Sequence, residues 1–208
     1  MSDVKLEIIF SDEQLETIYA SRCKVIIGKY GNTPESQFGV AWQAFRPLGS
    51  NCITWGDDYG LYASSTRLLE GAKLHQTSYS KYAAVRGRQY TLMESGVISN
   101  PGDQTCNDKF YMLNNYSSKK IMTVGLCQKA SINGEFTKWN AISAVPVMNK
   151  HAIFMKPTHR VSVWLESMIE SNTVFSSVES PKTNIHFSVG VSAIQLTYDS
   201  DIGSFVAK

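Results

Sequence analysis

The sequence lacks any apolar run long enough for a membrane-spanning helix, since its longest such stretches are only a few residues. It has little net charge, with 20 Lys+Arg against 18 Asp+Glu, so the strong basic footprint that nucleic acid requires is missing. Charged residues make up only 18% of the chain and aromatics 11%, which excludes disorder as the main state. The four cysteines, Cys23, Cys52, Cys106 and Cys127, form no Cys-x-x-Cys pair, so neither a zinc ribbon nor a thioredoxin-type redox site is expected. Residues Met1 to Glu7 contain no apolar core of a secretory leader. The expectation is therefore a cytoplasmic protein, or one released without a cleavable signal, with free thiols packed as small hydrophobes. For the same reason the Asn115-Tyr116-Ser117 sequon is expected to be idle.

Motifs for catalysis are also missing. No Gly-x-Ser-x-Gly elbow, Walker A loop, Gly-x-Gly-x-x-Gly turn or His-Glu-x-x-His is present. His75, His151, His159 and His186 are scattered, and none falls at metal-ligand spacing. Tyr198-Asp199-Ser200-Asp201 begins like a calcium loop but has no Glu at its twelfth position. No catalytic residue, metal or cofactor is expected. An alternative in which Cys127, His75, His159 or Asp58 serves an enclosed apolar pocket stays open.

Short Val-, Ile-, Tyr-, Phe- and Thr-rich runs, separated every 8–15 residues by Gly, Asn, Ser and Asp, predict an all-β fold. With 208 residues and no composition break, one domain is expected: an antiparallel β-sandwich, or alternatively a β-barrel, with at most one or two short helices. The clearest strands are Cys23–Ile27, Asn51–Trp55, Gly60–Ser64, Gln89–Met93, Lys120–Leu126, Ile142–Met148, Arg160–Leu165 and Ile185–Leu196. Alternation in Arg160–Glu166 predicts a half-buried strand with Trp164 on its second face. Ser11 to Gln14 fits a capping box, but also the turn of a hairpin from Leu6–Phe10 to Leu15–Tyr19; the β-branched flanks favour the hairpin. Thr33-Pro34-Glu35 opens a helical pattern that Phe38, Val40, Trp42 and Ala44 contradict by alternating, and the β-rich context favours a strand. Glu94 to Asp108 reads as a surface loop.

Aromatics supply the functional signal. Trp55, Tyr59 and Tyr62 surround Gly56-Asp57-Asp58, while Tyr79 and Tyr82 precede Arg86-Gly87-Arg88. A ring beside a turn carboxylate suits the C–H face and hydroxyls of a sugar, and a ring beside a cation suits a lipid headgroup. The candidate ligand residues are therefore Trp55, Asp57, Asp58, Tyr59, Tyr62, Tyr79, Tyr82, Arg86 and Arg88. Asp57 and Asp58 are adjacent in a tight turn, so their side chains should diverge, unlike the facing pair of a glycosidase. In broad plan the chain is similar to cytoplasmic fungal or bacterial lectins and to small β-sandwich cytolysins of the actinoporin and aegerolysin kind. No motif carries individual residues across. The expected function is non-enzymatic binding of carbohydrate or a membrane lipid headgroup, as in a lectin or defence toxin. The alternatives are the small enzyme above and a structural or self-assembling protein, and a homo-oligomer fits any of these.

Overall fold

A computed structural model describes residues 3–30, 38–80, 83–104, 108–178, 180–188 and 190–208. Nineteen strands and one helix are found among them. The first half contains β1 (Val4–Ile9), α1 (Asp12–Ala20), β2 (Lys24–Tyr30), β3 (Gly39–Phe45), β4 (Ser50–Trp55), β5 (Gly60–Ser64), β6 (Ser78–Tyr79), β7 (Gln89–Leu92) and β8 (Phe110–Asn114). Then follow β9 (Ile121–Gln128), β10 (Ser131–Ile132), β11 (Glu135–Phe136), β12 (Asn140–Ala141), β13 (Val145–Met148) and β14 (Ala152–Met155). The last are β15 (Arg160–Glu166), β16 (Thr173–Phe175), β17 (Thr183–His186), β18 (Ala193–Asp199) and β19 (Ser204–Ala207).

These strands form four sheets, ordered β11-β10-β4-β1-β18-β19, β12-β9-β5-β6 with β13 also on β9, β14-β8-β7, and β16-β3-β2-β15-β17. The sheets do not close into a barrel, and the mostly β architecture is that of an all-β sandwich. Pairing is antiparallel except for β1 with β18 and β7 with β8. No helix among the described residues is long and apolar enough to cross a membrane.

Inward-facing residues of all four sheets share one core. Leu6, Ile8 and Ile53 meet Val25, Ile27 and Val163 there, together with Leu61, Val124 and Leu126, Leu92 and Met112. Two smaller clusters lie on the other faces. Tyr62, Cys127 and Val174 build one; Ile26, Trp164 and Phe175 build the other. The strand β15 is therefore buried on both faces rather than half-buried: Val161 and Val163 enter the main core, while Trp164 packs edge-on against Phe175. Phe175 reaches that position because Gly28 and Gly39 leave room for its ring; a Cβ on Gly28 would stand 2.8 Å from the ring's Cζ.

The segment after β1 corrects the expected hairpin. Residues Asp12–Ala20 form α1, with Ser11 as N-cap: Ser11 Oγ accepts from the Gln14 N–H at 3.3 Å, and Gln14 Oε1 accepts from the Ser11 N–H at 3.0 Å. The two reciprocal bonds satisfy helix-terminal donors that a hairpin would leave to water, and Ile18 is buried by the helix. The segment after Phe38 is the strand β3, Gly39–Phe45; the Thr33-Pro34-Glu35 start lies outside the described residues. Ile185–Leu196, expected as one strand, is divided into β17 and β18, and the intervening segment contributes one wall of the site described next.

Candidate functional site at the Trp55–Tyr59 turn

Between β4 and β5 the chain turns through Gly56-Asp57-Asp58, and a cleft opens on either side of that turn. One cleft, of about 220 Å³, is lined by Trp55, Asp57, Tyr59, His159, Phe187 and Ser188 among others. The other, of about 330 Å³, is lined by Trp55, Asp58, Lys129, Ser131, Phe136 and Trp139 among others. Trp55 ends β4 on its core face and lines both clefts, whereas Asp57 lines only the first and Asp58 only the second. The two adjacent carboxylates thus serve different clefts rather than facing one another across one.

The aromatic walls differ in exposure. Trp55 is 8% exposed and Tyr59 4%. Trp55 is clamped edge-to-face between Trp42 and Phe187, at centroid distances of 5.2 and 5.3 Å. Phe136, at 85% exposure, stands free at the rim of the second cleft, near Trp139, whose ring lies 5.3 Å from the Lys129 ammonium. Phe136 did not stand out in the sequence, because a lone Phe in a Gly-Glu-Phe-Thr turn looks like any strand residue.

Arg86 anchors the turn from below. Its Nη2 donates to Asp57 Oδ1 at 2.8 Å, and its guanidinium lies 5.2 Å from the Tyr59 ring and 5.5 Å from Phe110. Burial, then the neighbouring Asp57 charge, raise the Tyr59 phenol above its usual range, so it stays protonated and can donate. The remaining sequence candidates separate from this group. Tyr62 is fully buried, and its hydroxyl donates to the Ser143 carbonyl at 2.7 Å; this is a core role. Tyr79 is 66% exposed on β6, paired in register with Tyr62. Arg88 is exposed near the Gly102 carbonyl, and Tyr82 lies outside the described residues.

Behind the aromatic wall sits a group that sequence reasoning missed. Lys29 is 3% exposed, its ammonium 3.9 Å from the Trp42 ring centroid and 5.2 Å from that of Trp55. Its Nζ donates to Gln128 Oε1 at 2.6 Å, and no carboxylate pairs with it among the described residues. Desolvation lowers its pKa to about 7. Gln128 also donates from Nε2 to the Gly56 carbonyl at 2.7 Å, and its own carbonyl accepts from Trp42 Nε1 at 2.9 Å. One glutamine thus ties a buried cation to the turn backbone. The signal was there in Val25-Ile26-Ile27-Gly28-Lys29, where Lys29 continues the inward face, but a lysine at a strand end reads as solvent-bound. A register shift between Ile27 and Gly28 accompanies its inward position.

The residues of the alternative enzyme reading do not gather. Cys127 is buried against Gly60, and burial pushes its thiol up to about 12, far from a thiolate nucleophile at neutral pH. Asp58 and His159 line different clefts, and His75 lines neither. Cys23, Cys52 and Cys127 are free thiols, and Cys106 lies outside the described residues. No group of three or more His, Cys, Asp or Glu able to hold a metal occurs among the described residues. Comparison with family models, with curated proteins and with solved structures finds no match to this chain.

Proposed function

We infer that the protein is a non-enzymatic binding protein whose Trp55–Tyr59 turn holds a saccharide. The observation that carries this reading is the turn itself, which sends Asp57 to one aromatic-lined cleft and Asp58 to the other, where Asp3 adds a second carboxylate. Pyranose rings have apolar C–H faces and a rim of hydroxyls. The Phe136 and Trp139 rings match the faces; Asp58 and Ser131 match the rim. On the other side Trp55 and Phe187 form the apolar wall, while Asp57, Tyr59 and Ser188 supply acceptors and donors. The Arg86–Asp57 ion pair fixes the Asp57 carboxylate before any ligand arrives, which lowers the ordering cost of binding. A phosphate-bearing lipid headgroup is the weaker fit, because the turn brings a carboxylate to each cleft against one nearby cation apiece, Arg86 and Lys129.

The test is binding to a glycan panel and to liposomes of differing headgroup, followed by calorimetric titration of the best ligand. Asp58→Asn and Phe136→Ala should each weaken saccharide binding about thirtyfold, the ~2 kcal/mol of a central contact, with the thermal midpoint unchanged. Liposome binding that survives both substitutions, with no glycan bound, would replace the saccharide reading with the lipid one.

A further inference from the structure

A groove of about 970 Å³ runs over the outer side of β15 and β17 and shares His159 with the Trp55–Phe187 cleft. Register places Arg160 opposite His186 and Ser162 opposite Asn184, and the two-residue strand period puts both pairs on one face. Arg160 and His186 are exposed, whereas Ser162 forms the buried floor and its Oγ donates to Asn184 Oδ1 at 2.6 Å. Lys182 continues the same face, with its Nζ donating to the Tyr30 hydroxyl at 3.0 Å. Lys156 closes the end near His159.

No carboxylate is among the residues that line this groove, although Glu70 accepts from the N–H and the hydroxyl of Ser176 at the Tyr30 end, away from Arg160 and His186. Lys156 pairs with Asp108 at 2.7 Å, but both are about half exposed, and such surface pairs contribute less than about 1 kcal/mol, so Lys156 is available to a stronger anion. Arg160 and His186 stand directly opposite each other across the antiparallel ladder, so one anion can meet both exposed side chains. The planar fork of Arg160 suits two oxygens of one sulfate or carboxylate. The Ser162–Asn184 floor and the Tyr30 ring offer hydroxyl partners and an apolar face alongside. A duplex or single strand would require a wider basic footprint than the rest of this surface provides.

We propose that this groove binds the anionic substituent, a sulfate ester or a carboxylate, of an acidic saccharide whose neighbouring sugar occupies the Trp55–Phe187 cleft; this rests on the saccharide reading of that cleft. The ligand bends around His159, the one residue common to both lining sets.

Three tetrasaccharides test it by calorimetry at low salt: a heparin-derived one with sulfates and carboxylates, its fully desulfated and N-acetylated, carboxylate-only counterpart, and neutral chitotetraose. At least one anionic probe should bind tenfold or more tighter than the neutral one, and the two anionic probes rank sulfate against carboxylate. Arg160→Gln/His186→Gln should remove that preference and leave neutral binding unchanged, whereas Lys119→Gln/Lys120→Gln, on a distant exposed turn, should keep it. Equal binding of all three probes overturns the anionic groove while leaving the saccharide reading intact. A preference that survives in the Arg160/His186 variant, or that the Lys119/Lys120 variant also loses, overturns it as well. Anionic binding through Arg160 and His186 with no neutral binding and no effect of Asp57→Asn leaves the anion contact but overturns the continuous acidic saccharide. Circular dichroism checks that each variant folds.

Discussion

Lys29 shows how one residue can couple the core to the site. Its ammonium is held by one glutamine and two indole faces, which offset only part of the desolvation of a buried charge. With a folded pKa of about 7 against the usual 10.5, the folded protein binds one proton fewer than the unfolded chain between those values. Stability therefore rises with pH across that window, by about 1.4 kcal/mol per unit for this group. The penalty is fully present below pH 7 and gone above 10.5. Denaturant unfolding of the wild type and Lys29→Met from pH 6 to 10.5 should show the wild type gaining on the variant through this range. Parallel pH profiles would mean that Lys29 is solvated. A second residue prediction separates ring from ring: Tyr59→Ala should cost about 3 kcal/mol or more, as a buried aromatic does, while Tyr79→Ala should stay within about 0.5 kcal/mol.

Among the elements, α1 and the close approach of β9 to the Ser143 segment make the strongest demands on sequence. The Ser11–Gln14 capping box was legible and was outweighed by the β propensity of Ile8-Ile9-Phe10 and Thr17-Ile18-Tyr19. What decided for the helix was tertiary: Gln14 Nε2 also donates to the Tyr198 carbonyl at 2.9 Å and to Ser200 Oγ at 3.1 Å, which docks the helix start on β18 and the turn after it. Ser11→Ala should lower stability by about 1 kcal/mol in chemical denaturation. A Cβ at Gly125 would overlap the Ser143 carbonyl oxygen and crowd the Tyr62 ring. Because a backbone oxygen cannot move aside as a side chain does, Gly125→Ala should be strongly destabilising, by several degrees in thermal midpoint. An unchanged midpoint would show that β9 can shift away from Ser143.

At the scale of the whole molecule, β content and most strand positions were readable from local pattern, since β2, β4, β5, β7, β9 and β15 each carry a β-branched or aromatic run bounded by turn residues. Pairing was not readable. Of the two neighbours of β1 in its sheet, β4 and β18, the second comes from the other end of the chain, and no local signal encodes so distant a contact. The site was half legible for the same reason. Asp57, Asp58 and the rings flanking them are contiguous in sequence, whereas Phe136, His159, Phe187, Lys29 and Gln128 arrive from five other segments only once the sheets have packed. The break between β17 and β18, which walls one cleft, was hidden inside what looked like a single apolar strand.

If ligand binds at the turn from Trp55 to Tyr59, the four tryptophans report on it directly. Trp55 and Trp139 line the two clefts; Trp164 lies in a core cluster on the far face of β15. Indole N–H resonances, assigned by single Trp→Phe variants, can be followed by nuclear magnetic resonance while a bound glycan is titrated. Saturable shifts are expected at Trp55, Trp139 or both, with Trp164 unmoved. Binding that leaves both Trp55 and Trp139 unshifted would contradict it and place the site elsewhere on the protein.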